Sequence, residues 1–397
     1  MKKILKIKAD GLPLFAGPVE LDFYRKKKVA RARQQSSFQL LEKPSVFLCP
    51  VHVIAGINAS GKTSILKVIR LAIDILNNKP INYSKAVSIL EGSKKVVFEI
   101  DYLSSQSDVI KLETVIEPIV RGKDIIYNIS SETLLKKSAA SATKAALLDF
   151  DPARRNVQKI ERRECDFLSD DVSIVIAENK VNKDLVVLEE LLSSTTAESE
   201  SGSGCGEMIS EAAVLLDPSI ERLTFTGNGE HKSVLLKFKG REIFHLGSLH
   251  ELEDYLSLGT IKGIVAFAKV QDILCSGGIL LADELENHLS KEIVSIIIRL
   301  FMDPDINKKG AMLIFTTHYP ELLDLFDCTD GIFIARNSGE HGITVQPLAD
   351  KLKRNDIKKS EAFISGWPEG TTPEYGSYIK MRNMLKEAVQ KQISQTP

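Results

Sequence analysis

Eight consecutive residues, Gly56-Ile57-Asn58-Ala59-Ser60-Gly61-Lys62-Thr63, have the types and spacing to cradle a polyphosphate, fitting G-x-x-x-x-G-K-[ST]. In such a loop successive backbone N–H groups converge on an anion. Lys62 would reach the β- and γ-phosphates, and the Thr63 hydroxyl would ligate Mg²⁺. The elements needed to position the loop stand on either side of it. Val51-His52-Val53-Ile54-Ala55 is a short β-branched run that reads as the feeding strand, and Ser64 to Ile73 continues as an apolar-rich helix. The positive end of that helix's dipole would strengthen the anion site. Gly56, Asn58, Ala59, Ser60, Gly61, Lys62, Thr63 and Ser64 are the candidate nucleotide contacts.

A second stretch adds carboxylates. Gly277-Gly278-Ile279-Leu280-Leu281-Ala282-Asp283-Glu284 is an apolar strand ending in two acids. A strand buried on both faces of a parallel sheet is continuously apolar, so its first charges stand at the C-terminal edge, where ligands bind. Asp283 would hold Mg²⁺, directly or through water. Glu284 is then placed to polarise a water attacking the γ-phosphate, provided it lies within hydrogen-bond reach. Ala311 to His318 is another apolar strand, closed by Thr316, Thr317 and His318, and the histidine can sense the γ-phosphate or the attacking water from the far side. Leu256-Ser257-Leu258-Gly259-Thr260 precedes a predicted helix, Ile261 to Leu274. Ser and Gly at a helix start make a further anion site from free N–H groups and a hydroxyl.

In this order the four pieces resemble the ABC-type ATPases of the SMC, RecF and OLD (overcoming lysogenisation defect) branch. They are most similar to compact bacterial ATPases of the AAA type, many encoded beside antiviral nucleases or toxins. Asn58 and Ser60 fit that family's phosphate loop, and Leu256 to Thr260 match its L-S-x-G-T signature. Asp283, Glu284, Glu286 and Leu289 match D-E-x-E-x-x-L, with Asn287 and His288 also typical. Thr316, Thr317, His318, Pro320 and Leu322 match T-T-H-x-P-x-L.

The resemblance implies a P-loop α/β fold with an ABC-type head, in which a parallel core sheet is joined by an N-terminal antiparallel β-sheet. It implies ATP and Mg²⁺ as cofactors, ATP hydrolysis with Glu284, His318 and Lys62 as catalytic residues, and Thr63 and Asp283 on the metal. It also implies an ATP-sandwiched homodimer. Ser257 and Gly259 of one subunit would close the ATP site of the other, with Glu286-Asn287-His288 at the seam. Thr260 stands where transporter ATPases usually carry Gln, which favours the SMC-like branch. No glutamine is assigned to a Q-loop; Gln106 lies in a Ser-rich turn. Tyr24 is the one candidate for an adenine contact.

The 397 residues suit one large head with an inserted lobe. A net charge of −1 gives no global pull toward nucleic acid or an anionic membrane. The N-terminus carries no apolar signal core, and no run approaches the ~18 apolar residues of a membrane span, so a cytoplasmic protein is expected. Five scattered cysteines without a C-x-x-C pair read as reduced thiols.

Along the chain, residues 2–8 and 19–24 alternate as strands, and 94–103 with 108–117 reads as a hairpin. Arg25, Lys26, Lys27, Lys28, Arg31 and Arg33 form a basic cluster able to touch DNA or RNA phosphates. Residues 126–220 are expected as a helical insertion lobe, with helices at 133–148, 181–192 and 207–216 and a Ser/Gly-rich loop at 193–206. Without sustained heptads this insert cannot be a long rod. Strands are expected at 223–227 and 233–246, turning at Gly240-Arg241. The expected head thus comprises 1–125 and 221–350, its last strand at 331–336, and a helical tail follows over 351–397. The tail lacks a strand-borne D-x-D cluster, which argues against a fused nuclease. The resemblance favours a regulator of a separate nuclease or toxin in antiviral defence. A DNA-repair or recombination ATPase is the alternative, and a transporter subunit is disfavoured.

Overall fold

In the computed structural model the described residues are 1–25, 37–141, 143, 146–152, 156–164, 168–182, 184–191, 206–226, 233–247, 250–287, 289–327, 329–339, 341–352, 357–366 and 375–395. The chain opens with β1 (Lys3–Asp10) and β2 (Val19–Asp22), followed by the small hairpin β3 (Phe38–Leu41) and β4 (Val46–Leu48). Next come β5 (Val51–Ala55), α1 (Lys62–Leu76), β6 (Val96–Leu103), β7 (Asp108–Arg121), β8 (Asp124–Ser138) and β9 (Gln158–Glu161). The middle of the chain forms α2 (Val175–Asn182), β10 (Leu188–Leu191) and α3 (Gly206–Leu216). Strands β11 (Ile220–Thr226), β12 (Ser233–Phe238) and β13 (Ile243–Leu246) then precede α4 (Leu258–Ser276), β14 (Ile279–Ala282) and α5 (Lys291–Met302). The last part comprises β15 (Met312–Thr317), β16 (Ile332–Asn337), β17 (Ile343–Pro347), α6 (Leu348–Lys351), α7 (Lys359–Ile364) and α8 (Tyr375–Gln395).

Two six-stranded sheets result. The core sheet has the order β10-β14-β15-β5-β16-β17, parallel except for β17. The second sheet, β2-β1-β6-β7-β8-β9, is antiparallel throughout. Alternation along the core strands explains the layering, because successive side chains point to opposite faces. Ile54, Ile279, Leu281, Met312 and Ile314 join a core with α1 and the antiparallel sheet, so α1 lies between the sheets. Val51, Val53, Leu280, Leu313 and Phe315 face the other way, onto Phe267 and Val270 of α4 and Ile297 and Phe301 of α5. Both faces are covered, as parallel strands require. A third core packs the small sheet β11-β12-β13 against α3 and the start of α4.

The parallel core and the N-terminal antiparallel sheet agree with the expected α/β architecture. The hairpin 94–117, the strand pair at the N-terminus, the strands around Gly240 and the helix 207–216 are also found.

The helical reading of 126–220 is overturned in two places. Residues 133–138 belong to β8, where Thr133 to Lys136 pair with both β7 and β9. A run rich in Leu, Lys and Ala has helical preference, but two ladders outweigh local propensity. Residues 188–191 form β10, pairing in parallel with β14 over a long stretch of intervening chain. The segment therefore supplies strands to both sheets instead of standing apart as a lobe. The chain also continues past the expected last strand, because β17 returns antiparallel along β16. The basic cluster falls outside the described residues except for Arg25, which is buried and donates its backbone N–H to the Phe47 carbonyl. The expected loop 193–206 also lies outside them, apart from residue 206 at the start of α3.

One buried group makes stability depend on pH. His52 on β5 is fully buried, edge-on to Phe23 at 5.0 Å and stacked on Phe333 at 6.1 Å. Burial, helped by repulsion from Arg25, pushes its pKa down to about 3. The folded state thus keeps it neutral, whereas the unfolded chain takes up a proton below about pH 6.5. Stability from this group is present above about 6.5 and is lost as pH falls toward 3, at up to about 1.4 kcal/mol per pH unit. The expected result is that His52→Leu gains about 2 kcal/mol on wild type between pH 7 and pH 5. Urea unfolding at both pH values checks this, and identical pH dependence in the two proteins would sink it.

Candidate functional site

The loop 56–61 leaves the C-terminal end of β5, a central strand of the core sheet, and enters α1 at Lys62. Its shape explains its glycines. A Cβ on Gly56 would come within 2.3 Å of Ser60 Oγ and 2.7 Å of the Ala335 carbonyl. Gly61 caps α1 at φ 93° and has Ile343 of β17 packed against it, where a Cβ would sit 2.5 Å from that side chain. Both are contacts that no other residue could accept. Ala59 is also left-handed, at φ 61°, and the Asn337 side chain donates to its carbonyl at 3.3 Å. Ser60 Oγ is buried and finds no hydrogen-bond partner among the described residues.

The Lys62 ammonium donates to the Gly56 and Ile57 carbonyls, both at 3.0 Å, so it lies folded across the loop. Burial pushes its pKa down, against the attraction of Glu284, Glu286 and Asp283. Those three acids therefore sit close enough to be felt by the loop lysine, which the sequence separates from them by more than two hundred residues.

β14 lies one strand from β5, across β15, and ends at Ala282, so Asp283 emerges at the same edge as the loop. Thr63 Oγ1 donates to Asp283 Oδ2 at 2.8 Å, and Thr316 Oγ1 donates to Asp283 Oδ1 at 2.7 Å. A hydroxyl and a carboxylate as hard oxygen donors suit Mg²⁺, which keeps several waters and takes few protein ligands. The residues present therefore fit a Mg-nucleotide: glycines where a Cβ cannot go, a buried hydroxyl in need of a partner, a cation and an oxygen donor pair.

Glu284 is held in a strained position. Its φ of 49° is left-handed, a conformation costing of order 1–3 kcal/mol for a residue with a side chain. Its N–H donates to Thr316 Oγ1 at 2.6 Å and its carbonyl accepts from Asn287 N at 2.7 Å. One hydroxyl, Thr316, thus orients both members of the acidic pair. Its role was not singled out from the sequence, although its place in T-T-H was the available signal.

His318 follows the end of β15. Its Nδ1 lies 2.9 Å from Glu286 Oε1, which also accepts from the His318 backbone N–H at 2.8 Å and Thr317 Oγ1 at 2.9 Å. The imidazole is 40% exposed, packed edge-on against Tyr319. With Nδ1 turned to a carboxylate, Nε2 is the nitrogen left for other partners. Glu286 is 5% exposed, so its carboxylate serves within the chain as the anchor for His318. His288, expected with Glu286 at the seam between subunits, lies outside the described residues.

The structure thus brings together Lys62, Thr63, Asp283 and Glu284 and places His318 just past the end of the neighbouring strand β15. Ser257 and Gly259 stand elsewhere in the architecture, at the start of α4 where the third core begins. Ser257 is the N-cap of α4, its hydroxyl accepting from Thr260 N–H at 3.1 Å and lying 2.9 Å from Thr260 Oγ1. The helix starts at Leu258, three residues earlier than expected, which places Gly259 in its first turn. Tyr255 and Leu258 beside it are exposed. Tyr24 bridges to Leu48, the last residue of β4, just ahead of β5, whereas the loop follows the other end of β5. Gln106 is in the β6–β7 turn, its N–H donating to Ser104 Oγ.

The sequence profile of the AAA_21 family, described as an AAA domain, putative AbiEii toxin, Type IV TA system, matches residues 51–324. No curated protein matches the chain. Among solved structures, two of the recombination mediator protein RecF in the RecFOR pathway, RecF-ATPrS and RecF-ATP, are similar. Each is 13% identical; TM-scores are 0.38 and 0.39, covering 84% and 87% of this chain and 96% and 98% of theirs.

Proposed function

The chain belongs to the AAA_21 family, and from that premise we propose that it is a Mg²⁺-dependent ATP hydrolase that closes as an ATP-sandwiched homodimer and regulates a separate effector, a nuclease or toxin, in antiviral defence. The observation that carries the hydrolase reading is the junction of Thr63, Asp283, Thr316 and Glu284, which joins the phosphate loop to the acidic pair through hydrogen bonds of 2.6–2.8 Å. Bound Mg²⁺ would offset the charge that builds on the transferred phosphoryl group. Lys62 binds the β- and γ-phosphate oxygens in this reading, with backbone N–H groups of the loop and of the start of α1 around them. Glu284 takes the proton from the attacking water in this reading, its backbone held at the end of β14 by Thr316 and Asn287. His318, fixed by Glu286, contacts the γ-phosphate from the adjoining strand.

The family description, with its putative toxin and Type IV toxin–antitoxin system, supports the effector-linked role. The alternative, an ATPase acting directly on DNA in repair or recombination, draws on the six basic residues between 25 and 33. Binding of a DNA duplex that steepens with falling salt, and is lost when those residues are neutralised, would favour it. No described helix is long and apolar enough to cross a membrane.

Assembly gives the sharpest test. Ser257 is exposed at the N-terminus of α4, where free N–H groups and a hydroxyl can meet a partner's γ-phosphate. Ser257→Arg puts a bulky cation there. ATP should still bind through Lys62 and Thr63, while turnover collapses. Mixing Ser257→Arg with Lys62→Ala makes heterodimers with one doubly damaged site and one intact site, so partial activity should return. Activity restored at no mixing ratio, together with no ATP-dependent crosslink between subunits near Asn287, would defeat the sandwich.

A further inference from the structure

The edge strand β10 joins the phosphate-loop helix to the signature helix. Its sequence, Leu188-Glu189-Glu190-Leu191, places two adjacent carboxylates on opposite faces of the core sheet, because side chains along a strand alternate. On one face Glu190 pairs with Arg70 of α1, which also bonds Asp74 at 3.1 Å. On the other face Glu189 pairs with Lys269 of α4 at 3.1 Å. Arg70, Glu190 and Lys269 are each less than 20% exposed, and Glu189 is 27% exposed, so solvent screens these pairs only in part.

The same strand touches the acidic pair through its backbone. The Leu191 carbonyl accepts from Asp283 N–H at 3.0 Å, and Asp283 in turn holds Thr63 at the start of α1. Arg70 is eight residues further along α1, about 12 Å from Lys62, and Lys269 is twelve residues along α4 from Ser257, about 18 Å. Both helices are continuous over these spans. A shift of either helix end therefore reaches β10, and β10 is bonded to the amide of Asp283.

We propose that Glu189 and Glu190 form a two-sided clamp, with Lys269 and Arg70 as its arms, that couples ATP occupancy of a protomer's own phosphate loop to the orientation in which α4 presents Ser257 to a second copy. These are positioning residues; none touches nucleotide. The proposal rests on the sandwich reading above, and it adds the route by which one subunit reports its nucleotide state to the other's site.

The test compares self-association with and without the non-hydrolysable analogue adenylyl-imidodiphosphate and Mg²⁺, by sedimentation, in the full chain. Glu189→Gln and Lys269→Met should bind the analogue within about threefold of wild type, yet lose about tenfold of its tightening of self-association, a coupling of ordinary size. The charge swap Glu189→Lys with Lys269→Glu should restore it, and Lys269→Arg should retain it. A role in folding alone would lower the melting temperature and leave the nucleotide-linked difference unchanged. Undiminished tightening in both single variants overturns the clamp, as does failure of the folded swap to restore it. Ser257→Arg run alongside keeps the two ideas apart. If wild type itself shows no nucleotide-dependent association, the sandwich fails. If wild type tightens, Ser257→Arg does not, and the clamp variants tighten normally, the sandwich stands and the clamp falls.

Discussion

A Glu284→Gln variant is expected to bind ATP and Mg²⁺ as wild type does and to hydrolyse ATP about 10²- to 10⁴-fold more slowly, the usual range for loss of a general base. Gln keeps the shape of the side chain and loses the proton acceptor. Neither backbone bond of Glu284, from its N–H to Thr316 Oγ1 and from Asn287 N to its carbonyl, depends on the carboxylate, so the strained turn should survive. Asp283 and Thr63 are untouched, so nucleotide affinity should hold. Because hydrolysis resolves the closed state, the variant should also accumulate an ATP-bound dimer. Single-turnover hydrolysis and sedimentation read both effects. Turnover at the wild-type rate would remove Glu284 as the base and leave the acidic pair as a metal site only.

Lys62→Ala is expected to weaken ATP binding by about 10²-fold or more. The loop loses its one mobile cation, and charge-assisted hydrogen bonds contribute about 1.5–3 kcal/mol each. The Lys62 ammonium now donates to the Gly56 and Ile57 carbonyls and lies in the field of Glu284, Glu286 and Asp283. Removing it leaves those acids facing the phosphates without a counter-charge, so repulsion adds to the loss. Calorimetric titration with Mg-ATP measures the effect directly. Unchanged affinity in a folded Lys62→Ala protein would refute the phosphate-loop assignment.

The sequence by itself determined the local parts of this site. Glycine, lysine and threonine at fixed offsets define the loop because its geometry is set within eight residues: Gly61 must be left-handed, and Gly56 has no room for a Cβ. The apolar runs before Asp283 and His318 read as buried parallel strands because both faces of each are covered, and the structure agrees. Ser257 was read as part of an anion site ahead of a helix at Ile261; the helix begins at Leu258 because the Ser257 hydroxyl caps it by accepting from Thr260 N–H.

Only the tertiary structure decided what depends on distant pairing. Nothing local marks 188–191 as a strand, since its hydrogen bonds go to β14, about ninety residues away in the chain. Residues 133–138 have helical composition and became strand because β7 and β9 both pair with them. The partner of Tyr24, Leu48 at the end of β4, was likewise set by chain pairing and not by local composition. The roles of Thr316 and Glu286 emerged only when β14 and β15 lay side by side, bringing one hydroxyl to two acids and one carboxylate to His318. Local stereochemistry is written in neighbouring residues, whereas the partner of a sheet edge or a buried carboxylate is chosen by the long-range packing that covers it.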